Sequence, residues 1–313
     1  MSDTLLSSNA IDRRTLLQRA GLGGASVVLG GLLAGCGGND HHSSSSSDGP
    51  SDLDVLNFAL NLEYLEASYY TTGVNNYQLA SGQITGTATG TNSTAGGAII
   101  GGRAVTFSTL GPYFQEIAYD ESKHVAAVRS VIVARGGTPV ARPEINFTDA
   151  FAAAGAAANN PGFDPFANET NFLLGAFLLS DIGATAYVGG SQYLRDANVK
   201  LAAAKILAVE GYHVGAIRTL IANAGGTAIA QSQAIASARE TLNAGQSPTI
   251  DDQGVDEDPN VPGAHNIALT DVNGLAFGRS TSEVLTLAYL NKTTGTASGG
   301  FFTKGANGNI RFV

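Results

Sequence analysis

DESKHVAAVRSVI, residues 120–132, and AVEGYHVGAIRTL, residues 208–220, decide the reading of this chain. Each carries Glu-x-x-His, as Glu121 with His124 and Glu210 with His213. On an α-helix, positions i and i+3 lie about 60° apart, so each acid and its histidine share a face. The faces are apolar: Phe114, Ile117, Ala118, Val125, Val128 and Ile132 flank the first pair, and Ala203, Ile206, Val214, Ile217 and Ile221 the second. Helical spacing therefore points both carboxylates into a core. A lone buried carboxylate costs several kcal/mol or takes up a proton, so acids in such places are paired, hydrogen-bonded or bound to a metal.

The same periodicity runs upstream of each pair. Glu63 falls on the stripe of Leu56, Ala59, Leu60 and Ala67, and Tyr70 follows seven residues on, nearly eclipsed after two turns. A third stripe holds Leu173, Ala176, Phe177, Ser180, Gly183, Ala184 and Tyr187, so Ser180 and Tyr187 repeat the spacing of Glu63 and Tyr70 with serine in place of the acid. The chain is a degenerate two-fold repeat: E-x6-Y then E-x-x-H, followed by S-x6-Y then E-x-x-H. One E-x-x-H arises readily by chance, whereas two on core stripes, each preceded by its x6-Y element, do not.

In these elements the chain resembles the ferritin-like superfamily, the di-iron carboxylate bundles of bacterioferritin and rubrerythrin. LNLEYLEASYY (60–70) and DESKHVAAVRSVI resemble its first two ligand helices, SDIGATAYVGG (180–190) its third and AVEGYHVGAIRTL its fourth. The tail from residue 282 to 310 is similar to that of exported members, among them desiccation-related proteins. The resemblance implies an all-α fold, an antiparallel four-helix bundle with one long crossover. It also implies metal ligands at Glu63, Glu121, His124, Glu210 and His213, with the sixth position falling on Ser180. Tyr70, Ser180 and Tyr187 then lie just outside the metal, the tyrosines donating hydrogen bonds that orient carboxylates. Glu66, one turn from Glu63, is in reach of the same place.

The N-terminus reads as an address. Arg13 and Arg14 resemble a twin-arginine export signal, and the apolar run at 20–35 is short and glycine-rich for a membrane span. It ends in Leu33-Ala34-Gly35-Cys36, similar to a bacterial lipobox, so the single cysteine is expected to carry lipid and anchor an exported protein on the periplasmic or cell-surface side. Cleavage there removes three arginines and two aspartates, moving the net charge from −9 to −10. An acidic chain without tryptophan or a basic stripe excludes a nucleic-acid-binding role and suits attraction of cations.

The expected layout is a signal at 1–35, a Ser/Gly linker at 36–52, the bundle at 53–224, and a fifth helix with an irregular extension at 225–313, packing on the bundle. Bundle helices are expected at 53–72, 105–135, 168–194 and 197–224, ended by Gly73, Gly136 and Gly225, with a short helical run at 281–291. Residues 136–167 are long enough to carry the crossover. His41 and His42 in the linker, and His265 in the extension, read as solvated or structural.

Carboxylate and imidazole donors suit iron, as a pair or a single ion, or manganese. Two readings stand open on the sequence. One is a di-iron-type oxidoreductase, ferroxidase or peroxidase-like, acting on oxygen or peroxide. The other is a structural, stress- or desiccation-associated lipoprotein whose site, lacking an acid at position 180, is catalytically weak. A homo-oligomer is compatible with either, while the tether and long tail speak against a closed storage shell.

Overall fold

The computed structural model describes residues 49–75, 78–246 and 252–313. The N-terminal segment read as an export signal, with Cys36, His41 and His42, lies outside the described residues. The fold is all-α, with four long helices: α1 (Asp52–Val74), α3 (Gly111–Ala134), α5 (Glu169–Ser191) and α6 (Ala197–Ala224). Shorter elements lie between and after them: α2 (Ser81–Ile84), α4 (Phe147–Ala157), α7 (Gly226–Leu242) and α8 (Thr281–Tyr289). Strands β1 (Ile99–Ile100) and β2 (Ile145–Asn146) pair in parallel, and β3 (Glu257–Asp258) pairs antiparallel with β4 (Val261–His265).

Helix α1 packs chiefly on α3, and α5 on α6. Gly137, just past α3, lies against Leu53 at the start of α1, so the two helices run antiparallel. The α5 pairing follows from its ends. Tyr69, late in α1, donates to the Phe172 carbonyl early in α5, and the backbone N–H groups of Arg195 and Asp196 donate to Asp52 at the start of α1. The crossover from α3 to α5 therefore travels the length of the bundle, as ferritin-like topology requires.

Local chemistry sets most boundaries. Ser51 and Asp54 form a capping box at the start of α1, Asn168 caps α5, and Asp196 caps α6. Gly136 and Gly225 follow their helices with φ of 77° and 80°. Gly73 does not end α1. A Cβ there would lie 2.1 Å from the Phe172 ring, so this glycine serves close packing, and the turn falls to Asn75 in the left-handed region. Helix α3 begins at Gly111 rather than near 105. The Glu169 carboxylate accepts the backbone N–H groups of Ser108, Thr109 and Leu110, holding that bend outside the helix. Helix α4, inside the stretch read only as crossover, starts from Asn146 as cap and buries Phe147 and Phe151.

Helix α5 is apolar enough to read as a membrane span, yet it is the enclosed helix of the bundle, covered by α1, α6, α7 and α8. Its one acid with a charged partner is Asp181, whose Oδ2 lies 2.9 Å from both Arg218 of α6 and Arg239 of α7. Asp252 binds Arg239 and Arg279 at 2.7 Å each, extending the buried network into the tail. Asn307 closes the other flank through paired bonds with Asn61 of α1, 2.9 Å in each direction. Replacing Asp181 with Ala would leave two buried guanidinium groups short of their counter-ion, so stability should fall by about 3–5 kcal/mol in urea unfolding. Helical content should be retained, because Asp181 closes a tertiary network rather than a helix turn.

Candidate metal centre

The four bundle helices bring the repeat elements to one level. Glu63, Glu121, His124 and Glu210 each offer a ligand atom within 4.8 Å of the others, and all four are buried. The Nδ1 of His124 stands 3.0 Å from Glu210, 3.6 Å from Glu63 and 3.8 Å from Glu121. His213 joins through Glu121, with its Nδ1 3.2 Å from Glu121 Oε1. The five sequence-predicted ligand positions thus converge, drawn from α1, α3 and α6.

Within this cluster, six buried polar atoms form no well-aligned hydrogen bond: Glu63 Oε2, both Glu121 oxygens, Glu210 Oε2, His124 Nδ1 and His213 Nδ1, although all but Glu210 Oε2 take part in acid–imidazole contacts of 3.8 Å or less. Unsatisfied buried polar atoms are rare because each forfeits its solvation, and several on facing side chains mark a ligand's place. Mixed oxygen and nitrogen donors on rigid helices fit a divalent transition metal. On this donor chemistry the residues fit iron or manganese.

Outer contacts orient these groups. Tyr187 of α5 hydrogen-bonds Glu63 Oε1, leaving Oε2 directed at the cluster. Tyr70 meets Ser180 Oγ at 2.7 Å rather than a carboxylate, and Ser180 Oγ donates to Glu66 Oε2 at 3.0 Å. A hydroxyl has one proton, so Tyr70 is the donor to Ser180. The remaining nitrogen of His213, Nε2, lies 3.2 Å from Asp120 Oδ2, an acid–imidazole arrangement that fixes the ring and raises its basicity. Reading α3 alone does not find Asp120, which is rotated about 100° from Glu121 and looks solvent-facing until α6 packs beside it. Asp181 is turned away from the cluster onto its arginines. His265 lies exposed on β4, apart from the site.

The neighbouring charges and burial set the protonation of the cluster. Burial works against the ionised form of Glu121, but the two imidazoles beside it prevail and hold it at about 2. Burial and then the Glu121 charge push Glu210 up to about 7. Glu63 is raised by burial, only partly offset by His124, and Glu66 is raised well above the usual range by burial and its three acidic neighbours. Burial opposes protonation of His124 and His213. Their carboxylate neighbours outweigh it, raising both, His213 to about 9.

Residues 51–223 match the ferritin-like domain family, more than half of the chain. The chain belongs to that family. The ferritin-like chain is 30% identical over 206 residues to a desiccation-related protein, PCC13-62, of Craterostigma plantagineum, a match covering 61% of this chain and 59% of that protein. It therefore spans less than two thirds of that relative's length. It is 26% identical over 283 residues to a ferritin-like catalase, Nec2, of Nesocodon mauritianus, covering 83% of this chain and 84% of the relative.

A pH dependence follows from the two raised groups. Glu210 and His213 hold protons in the fold that the unfolded chain releases near its ordinary values. Their stabilising contribution is full at low pH and is lost as pH rises through about 7 and about 9, respectively. A cation needs both groups deprotonated, so it gains where the protons are lost. Calorimetry between about pH 5 and pH 9 should show the rise in Tm produced by manganous ion growing with pH. An increment flat across that range would show that these groups do not meet the metal.

Proposed function

We propose that this protein is an exported, lipid-anchored ferritin-like oxidoreductase. In this reading it holds iron or manganese through Glu63, Glu121, His124, Glu210 and His213 and consumes peroxide, with oxidation of ferrous iron as a related activity. The observation that carries the reading is the convergence of buried carboxylate and imidazole donors from three helices, with ligand atoms of Glu63, Glu121, His124 and Glu210 all within 4.8 Å of one another. A bound redox metal supplies electron exchange with peroxide or oxygen. The chain's own part is to position and insulate. His124 lies against Glu210, His213 lies against Glu121, and Tyr187 steadies Glu63. Asp120 on His213 Nε2 fixes which imidazole nitrogen faces inward. Tyr70, bonded to Ser180, packs with the buried rings of Phe114 and Phe172, an apolar wall beside the seat of Glu66. The relative named a ferritin-like catalase, matched along most of both chains, supports peroxide as the substrate.

A second reading is favoured by Ser180 and by the desiccation-related relative: a stress-associated protein with one cation held and little turnover. Joint replacement of His124 and His213 by Ala separates the possibilities. If the first reading holds, wild type carries stoichiometric metal and removes peroxide far faster than the free ion, and the double variant loses both while keeping its helices. Metal without peroxide turnover in wild type selects the second reading, and metal content unchanged in the double variant overturns both.

The anchor rests on Leu33-Ala34-Gly35-Cys36 and the paired arginines. In fractionated cells, Cys36→Ser should shift the protein from membrane to soluble fraction. Equal partitioning of the two forms would remove lipid attachment from the proposal.

A further inference from the structure

We propose that Glu66 is itself a metal ligand, supplying from α1 the carboxylate that the repeat lacks at position 180 on α5. This rests on the metal-binding reading above and gives it a specific composition. The site is then built from three helices, each bringing an i, i+3 pair: Glu63 with Glu66, Glu121 with His124, and Glu210 with His213. Helix α5 supplies no charge to it, only a seat for the carboxylate that crosses to its surface.

The seat consists of Ser180 and Gly183, one turn apart on the inward face of α5. Ser180 Oγ donates to Glu66 Oε2 at 3.0 Å and receives the Tyr70 hydroxyl at 2.7 Å, so the carboxylate is oriented from behind. Gly183 makes the room. A Cβ at that position would lie 2.1 Å from Glu66 Oε1, and the displaced atom would be the carboxylate oxygen itself. The serine and the glycine are thus explained by one event: a carboxylate arriving from α1 at the place where a glutamate at 180 would have projected. In the same register, Tyr187 holds Glu63 directly, whereas Tyr70 reaches Glu66 through the shorter Ser180 side chain.

Electrostatics demand a partner for this group. Glu66 is buried, and among the described residues it forms no ion pair with a cationic side chain. Its charged neighbours are Glu63, Glu121 and Glu210. When ionised, four carboxylates gathered in a buried bundle repel one another strongly, and Glu66 stands in mid-helix, where it neither caps α1 nor reaches solvent. Two divalent cations carry a charge that four carboxylates and two neutral imidazoles balance, whereas three carboxylates would leave a buried excess of one positive charge. Glu66 completes that balance.

The test is metal content and affinity, read by elemental analysis after loading with manganous ion and gel filtration, and by titration. Wild type should hold two ions per chain. Glu66→Gln keeps size and the contact with Ser180 but removes the charge, and should retain one ion while binding the second about 10-fold or more weakly. Glu66→Ala should behave likewise, and Glu66→Ala with Ser180→Glu should recover the second ion, because the carboxylate is restored from α5. A purely structural role would not be rescued in this way. Two ions held as tightly in Glu66→Gln as in wild type would overturn the inference while leaving the metal-binding reading intact. So would a single ion in wild type whose affinity Glu66→Gln does not change. Wild type that takes up no metal would overturn the metal-binding reading itself.

Discussion

Four glutamates, Glu63, Glu66, Glu121 and Glu210, are buried side by side in the middle of an apolar bundle, and their mutual repulsion is the constraint around which the molecule is organised. In a low-dielectric interior such a group is untenable without compensation. Protons supply part of it: Glu210 and both histidines are shifted upward while Glu121 stays ionised between the imidazoles. A metal ion would supply the same compensation with more charge in less space. Rigid helices matter here because the carboxylates cannot swing out to solvent to relieve the strain.

The bundle holds this arrangement by enclosing it on several sides. A stacked and edge-on cluster of Tyr69, Tyr70, Phe114 and Phe172 fills one end, with Tyr69 and Phe172 4.5 Å apart between ring centres. On the outer side of α5, the ion-pair network of Asp181, Arg218, Arg239, Asp252 and Arg279 ties α6, α7 and the tail to the helix whose inner face seats Glu66. The extension adds Phe301 and Phe302 to the core and grips α1 through Asn61, two residues before Glu63. The tail thereby fixes the register of α1, which carries Glu63.

Departures from the sequence reading have identifiable causes. Gly73 looks like a helix stop because glycine destabilises helix interiors, but the Phe172 ring needs the space its missing Cβ leaves. Helix α3 starts late because the side chain of Glu169, distant in sequence, competes for the amides that a longer helix would have used. Helix α4 was hidden in a run of Ala and Gly whose periodicity is weak, and it is fixed by burial of two phenylalanines and by its Asn146 cap.

In the sequence, the E-x-x-H spacing and the apolar stripes, both properties of a single helix, placed Glu63, Glu121, His124, Glu210 and His213 on buried faces, and the family resemblance carried by those motifs implied the all-α class and the antiparallel pairing. The sequence also contained the broken symmetry at Ser180. Only the tertiary structure decided what surrounds that break: Glu66 crossing onto Ser180 and Gly183, Asp120 behind His213, and Asp181 turned to its arginines. Each of these is a contact between helices. Periodicity specifies which face of a helix is buried, but the height at which two faces meet, and so which carboxylate stands opposite which glycine, is fixed only when the helices pack.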